Sequence, residues 1–210
     1  MKANTTKLIG AAAALGAVLA GGCGEVARNG RAPAMVIIDS LQGASGADPS
    51  GFGNTLSSDV ITKVERADND GGDYFTVYSD VGRVAMRLTL RDPGIPGLAA
   101  SPSTLNEVTF TRYHVSFRRA DGRNTPGVDV PHPFDSAVTF TVGGGGTASA
   151  GFELVRLIAK QESPLAALVT GSVFISTIAD VTFYGRDQAG NDVSATGSIG
   201  IVFGNFADPN

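Results

Sequence analysis

The sequence predicts an all-β chain folded as an antiparallel sandwich, and three observations predict it. Apolar residues recur at every second position through several short runs, the period of a strand with one face buried. Clusters of glycine, proline, aspartate and asparagine separate those runs. No long stretch carries a helical period. Hydrophobic residues make up 42 % of the 210 residues and charged residues 17 %, so a packed core can form.

In chain order, Met35-Val36-Ile37-Ile38 is a short β-rich run, and Asp59 to Val64 and Asp73 to Tyr78 are the next two. Val81 to Leu90 places Val84, Met86, Leu88 and Leu90 on one face and Arg83, Ala85, Arg87 and Thr89 on the other. Glu107 to Arg119 alternates likewise, with Tyr113, Val115 and Phe117 opposed to Arg112, His114, Ser116 and Arg118. Ala137 to Val142, Gly151 to Ala159, Ala179 to Gly185 and Asp192 to Phe203 complete the strands. Turns are predicted at Arg91 to Gly94, Asp121 to Asn124, Gly143 to Gly146 and Asp187 to Asn191. The best short helix is Ser163 to Leu168, with Ser163 as its cap and Pro164 in its first turn.

The C-terminal hairpin carries a family likeness. In Ala179-Asp180-Val181-Thr182-Phe183-Tyr184-Gly185-Arg186-Asp187-Gln188-Ala189-Gly190-Asn191, the alternating Val181, Phe183 and Gly185 would face an opposite sheet. Asp187 and Asn191 can hydrogen-bond turn backbone, and Gly190 can take a positive φ. This resembles the last two strands of the immunoglobulin-like and fibronectin-III-like modules of bacterial surface proteins. The likeness implies an immunoglobulin-like β-sandwich and attaches no particular ligand to it. With 34–207 as a single domain, Gln42 to Ser58 and Pro93 to Asn106 read as long loop insertions. The alternative is two small β domains divided near the glycines at 143–146.

The first residues read as an address. Lys2 and Lys7 precede an uncharged stretch, Leu8 to Ala20, shorter than the roughly 20 residues of a membrane-spanning helix. It ends in Leu19-Ala20-Gly21-Gly22-Cys23, small residues immediately before the chain's one cysteine. This resembles the lipobox of bacterial lipoproteins. The resemblance implies a signal peptide over 1–22 and acyl chains on Cys23, with 23–33 as a lipidated tether. Gly24, rather than an aspartate, follows the cysteine, which by similarity to lipoprotein sorting implies the outer membrane. Roughly ten tether residues hold the body within about 35 Å of the lipid surface.

Composition excludes several chemistries. One cysteine leaves no disulfide framework and no multi-cysteine zinc or iron–sulfur site. A net charge of -4 argues against nucleic acid, which needs a basic face. Asp68-Asn69-Asp70-Gly71-Gly72-Asp73 fails the EF-hand pattern, because Gly72, Asp73 and Ser79 stand at loop positions needing a ligand, a glycine and a glutamate. An irregular calcium site on Asp68, Asp70 and Asp73, or a solvated hairpin turn, are the two remaining readings. His114 and His132 have no neighbour at zinc-ligand spacing. Ile38-Asp39-Ser40-Leu41 and Asp129-Val130-Pro131-His132 resemble the GDSL esterase blocks. Ile38 replaces the glycine of that pattern, and the helices of its α/β fold are missing. The glycines at 143–146 lack the Lys-Ser/Thr and helix of a phosphate loop. If Arg83, Arg87 and Arg112 share an outer face, they could take an acidic glycan or partner; otherwise they solubilise the sheet.

These readings together predict a lipid-anchored envelope lipoprotein without catalytic residues and without a cofactor. Its expected role is interaction, adhesion or structural support beside an envelope protein partner. A carbohydrate- or small-ligand-binding module is the alternative, with a cryptic hydrolase behind it. Absent tryptophan and only four tyrosines count against a broad stacking platform.

Overall fold

Branched and aromatic residues at alternate positions suit a pleated, half-buried surface, and the chain forms strands wherever they occur. The computed structural model describes residues 32–65, 72–92, 94–95 and 98–206. Its strands are β1 (Ala34–Ala44), β2 (Thr55–Asp59), β3 (Thr62–Val64), β4 (Tyr74–Thr76), β5 (Asp80–Leu90), β6 (Gly94–Ile95), β7 (Leu98–Ala99), β8 (Val108–Arg118), β9 (Phe134–Val142), β10 (Thr147–Val155), β11 (Ile175–Asp187) and β12 (Asp192–Gly204). One helical turn, α1 (Leu157–Gln161), and two 3-10 turns, Thr104–Asn106 and Leu165–Leu168, interrupt them.

Eight strands build two sheets. The first has the order β1-β5-β10 and is antiparallel throughout. The second has the order β2-β12-β11-β8-β9, antiparallel except where β2 runs parallel to β12. The short pairs β3-β4 and β6-β7 are separate hairpins. The glycines at 143–146 carry the chain from β9 of the second sheet to β10 of the first.

The inner faces share one core. Val84, Met86 and Leu88 of β5 are buried as their alternation predicts, with Leu90 partly buried. Tyr113, Val115 and Phe117 of β8 are buried, as are Ala179, Val181 and Phe183 of β11. A β-bulge between Phe110 and Arg112 shifts the register of β8. It lets Val108 and Phe110 point inward on the same strand as Tyr113 despite their opposite parity. The rings of Phe152 and Phe183 meet edge-on at 5.3 Å, and those of Tyr113 and Phe152 at 5.2 Å. The Tyr113 hydroxyl crosses between the sheets, donating to the Glu153 carbonyl at 3.0 Å and accepting from its amide at 3.2 Å.

Several elements differ from expectation. The first strand runs to Ala44 instead of stopping at Ile38. Gln42 to Ser58 is therefore no plain insertion, because it holds the end of β1 and most of β2. Pro93 to Asn106 likewise contains β6, β7 and a 3-10 turn. The run Asp59 to Val64 divides because the Asp59 carboxylate accepts from the Ile61 amide and the Thr62 hydroxyl, a local turn that ends β2. Gly151 to Ala159 also divides: the strand stops at Val155 and α1 turns Ala159 and Lys160 inward. Pro164, not Ser163, occupies the capping position of the next turn, whose buried Leu165 and Leu168 hold it to the core.

Candidate functional site

Cys23, Asp68 and Asp70 lie outside the described residues. Asp73 is described, and its carboxylate is bound by Lys63 at 2.8 Å across the β3-β4 hairpin. Among the described residues, no group of three or more His, Cys, Asp or Glu side chains is placed to hold a metal. Ser40 lies on β1, whereas Asp129 and His132 lie in the loop between β8 and β9. The Asp129 carboxylate accepts from the Thr125 amide at 3.2 Å. No hydrogen bond joins these three residues among those described.

The three arginines weighed as one face do not share one. Arg83 and Arg87 are on β5 of the first sheet and Arg112 is on β8 of the second. Sequence gives strand parity but not sheet membership, and sheet membership decides between the two readings. Each arginine also has a partner. Arg87 pairs with Asp39 at 2.7 Å, Arg83 donates to Gln42 at 2.9 Å, and Arg112 pairs with Asp135 at 2.9 Å. His114 faces the same Asp135 at 3.1 Å. Arg118 with Asp180, and Arg186 with Asp192, repeat the pattern. Arg87, Arg112, Arg118 and Arg186 are thereby neutralised and offer little to an acidic partner, whereas the Gln42 partner of Arg83 is uncharged.

Two surfaces remain. The first is a concavity of ≈ 850 Å³ on the outer side of the second sheet. Thr109, Thr111 and Arg112 come from β8, Tyr184 and Arg186 from β11, and Asp192 and Ser194 from β12. The β8 bulge sits beneath it. Gly185 lies against that bulge, where a Cβ would stand 2.4 Å from the Thr109 carbonyl oxygen. A side chain there would push the two strands apart. The Arg112 guanidinium lies 4.2 Å from the centre of the Tyr184 ring, a cation–π contact. One end is closed by the β11-β12 turn. There the Asp187 carboxylate accepts from the amides of Ala189 and Asn191 and from the Asn191 side chain. Gly190 takes φ 80°, as the turn chemistry predicts.

The second surface is a pole of the molecule. The described chain enters β1 at Ala34, which pairs with Leu90, and the β11-β12 turn lies at this same end of the sheets. The opposite pole collects the β3-β4 hairpin, the β8-β9 loop, α1 and the segment leading into β11. Among the described residues, eight of the ten exposed large hydrophobic side chains lie there: Tyr74, Phe75, Tyr78, Val128, Leu157, Ile158, Val173 and Phe174. Phe75 is 64 % exposed and Val128 66 %. Phe174 stacks on Phe206 at 5.3 Å.

Under this pole lies a buried ion pair that the sequence does not announce. Lys160 and Asp80 have side chains 1 % and 0 % exposed, and Lys160 Nζ stands 2.8 Å from Asp80 Oδ1. Lys160 also donates to the Asp59 carbonyl, while Asp80 accepts from the Ser58 hydroxyl at 2.6 Å and the Gly46 amide at 3.0 Å. Burial pushes the Asp80 carboxyl up from its ordinary value; Lys160, Ser58 and Gly46 pull it back. These bonds reach β2 through Asp59 and Ser58, β5 through Asp80 and α1 through Lys160, so the pair ties the three elements together. No protein family matches the chain by sequence, and no curated protein shows a significant match.

Proposed function

We propose that the chain is a lipid-anchored, non-catalytic interaction module of the bacterial cell envelope, held to the outer membrane through Cys23. Its body, residues 34–207, is a single immunoglobulin-like β-sandwich. The sheet orders support that architecture: β1-β5-β10 against β12-β11-β8-β9 follows the A-B-E and G-F-C-C′ arrangement of such modules. The sequence before Cys23 supports the anchor.

The observation that carries the interaction role is the apolar pole. Monomeric surfaces scatter exposed apolar side chains singly, and a concentration of them marks a contact site. This concentration lies at the end opposite Ala34, so a tether through residues 23–33 presents it away from the lipid. The matching occupant is a protein with an apolar recess. At the pole, Lys63 is paired with Asp73, and Arg119 and Arg123 with Asp121. Among the described residues, these pairs disfavour an anionic lipid surface, which needs a cluster of free positive charge.

The test has two parts. Cys23→Ser should move the full-length protein from the membrane fraction to the soluble fraction; retention in the membrane overturns the anchor. Cross-linking in intact envelopes should give a discrete adduct with one protein. Phe75→Ser combined with Val128→Ser should abolish it without changing the fold. An adduct that survives both substitutions overturns the role of the pole.

A further inference from the structure

We propose that the concavity over β8, β11 and β12 binds a neutral polyhydroxylated ligand, a short uncharged oligosaccharide. This inference does not depend on the apolar pole, which lies at the other end of the sheets. The volume of ≈ 850 Å³ is in the roughly 300–1,000 Å³ range of small-ligand sites. Most such sites are lined chiefly by apolar side chains, whereas this one mixes polar and apolar surface in about equal parts, with the hydroxyls, two guanidinium groups and the carboxylates of Asp187 and Asp192 around one aromatic ring.

Charge selects the ligand class. Arg112 and Arg186 would suit an anion, but Asp135 stands 2.9 Å from the first and Asp192 2.8 Å from the second. A phosphate, sulfate or uronate would have to displace or lie beside these carboxylates. A cation would meet the guanidinium groups. A neutral ligand meets neither penalty. What the pairs do present is donor beside acceptor. A guanidinium carries several N–H donors, and the Asp192 contact engages only the Arg186 Nε. The two residues therefore offer N–H groups next to a carboxylate oxygen. A hydroxyl both donates and accepts, so two vicinal hydroxyls satisfy that pattern together. The hydroxyls of Thr111 and Ser194 extend the same chemistry along the floor.

Tyr184 supplies the remaining requirement. A sugar ring has an apolar face of C–H groups, which an aromatic ring covers. Arg112 rests against the Tyr184 ring and fixes it in place. Because the concavity lies at the Ala34 end, a tethered body would hold it toward the membrane, among polymers close to the anchoring surface.

The experiment is titration calorimetry on the full-length protein, in a detergent without a sugar headgroup. The probes are maltotetraose, cellotetraose and N-acetylchitotetraose, with tetragalacturonate as the anionic probe. At least one neutral tetrasaccharide should bind, with a Kd unchanged between low and high salt. Tyr184→Ala and Arg186→Ala should each weaken it about tenfold or more. Arg186 is a surface residue, so its variant keeps the fold, verified by an unchanged melting temperature. Failure of all three neutral probes overturns the proposal. So does binding that survives both substitutions, or salt-sensitive binding of tetragalacturonate alone.

Discussion

Lys160→Met tests the buried ion pair most directly. Methionine nearly fills the volume of the lysine stem, so the change removes the ammonium group with little effect on packing. Asp80 keeps its bonds from Ser58 and the Gly46 amide but loses its only counter-charge, at 0 % exposure. Removing one partner of a buried pair costs about 3–5 kcal/mol, a large share of the roughly 5–15 kcal/mol that stabilises a domain. Urea denaturation at neutral pH should show a loss of that size. Asp80→Asn alone should also be costly, because it strands the lysine cation. The double variant Asp80→Asn/Lys160→Met buries no net charge and should be less damaging than the summed singles by about 2 kcal/mol. The pH dependence has a definite sign. Without Lys160, burial dominates at Asp80, and its folded pKa rises further above the ordinary 3.8. A carboxyl raised in the folded state binds more protons folded than unfolded. Its contribution is present below about the unfolded value and is lost as pH rises through the folded one. The Lys160→Met variant should therefore be relatively more stable in mild acid than at neutral pH. A loss below about 1 kcal/mol, or additive single effects, would refute the claim that the pair acts as one buried unit.

Tyr113→Phe keeps the ring contacts and deletes the hydroxyl that bridges to both backbone groups of Glu153. It should cost about 1–3 kcal/mol in chemical denaturation. Gly190→Val meets no atom within 4 Å but must hold φ near 80°. The expected loss is about 1–2 kcal/mol, read as a lower melting temperature. The hydrogen bonds from Arg119 and Arg123 hold the Asp121 carboxyl well below the usual carboxylate range. In an NMR titration it should stay ionised through the range in which an ordinary carboxylate protonates, and Arg119→Ala with Arg123→Ala should return it to that range.

The C-terminal turn shows how far local chemistry reaches. Asp187, Gly190 and Asn191 bond as their residue types predict, because the relevant atoms are within four residues of each other. Strand alternation in β5, β8 and β11 was equally legible, since side-chain parity is a property of the strand itself. The concavity was only partly legible. Arg112 and Tyr184 were visible as outward-facing residues, but nothing in their spacing says that β8 and β11 are neighbours or that a bulge hollows the surface between them. The apolar pole was hidden for a related reason. Tyr74 comes from the β3-β4 hairpin, Val128 from the β8-β9 loop, and Ile158 and Phe174 from opposite ends of the β10-β11 connection, and each alone resembles an ordinary exposed side chain.

The sequence by itself determined the all-β character, the faces of the main strands and the chemistry of the last turn. These follow from period, turn residues and local order along the chain. Only the tertiary structure decided that Arg83 and Arg87 lie on a different sheet from Arg112, that aspartates neutralise Arg87 and Arg112, and that Lys160 meets Asp80 across 80 positions of sequence. The physical reason is range. Strand period and turn geometry act over a few residues, whereas pairing of strands and burial of a charge depend on which distant segments close around the same core.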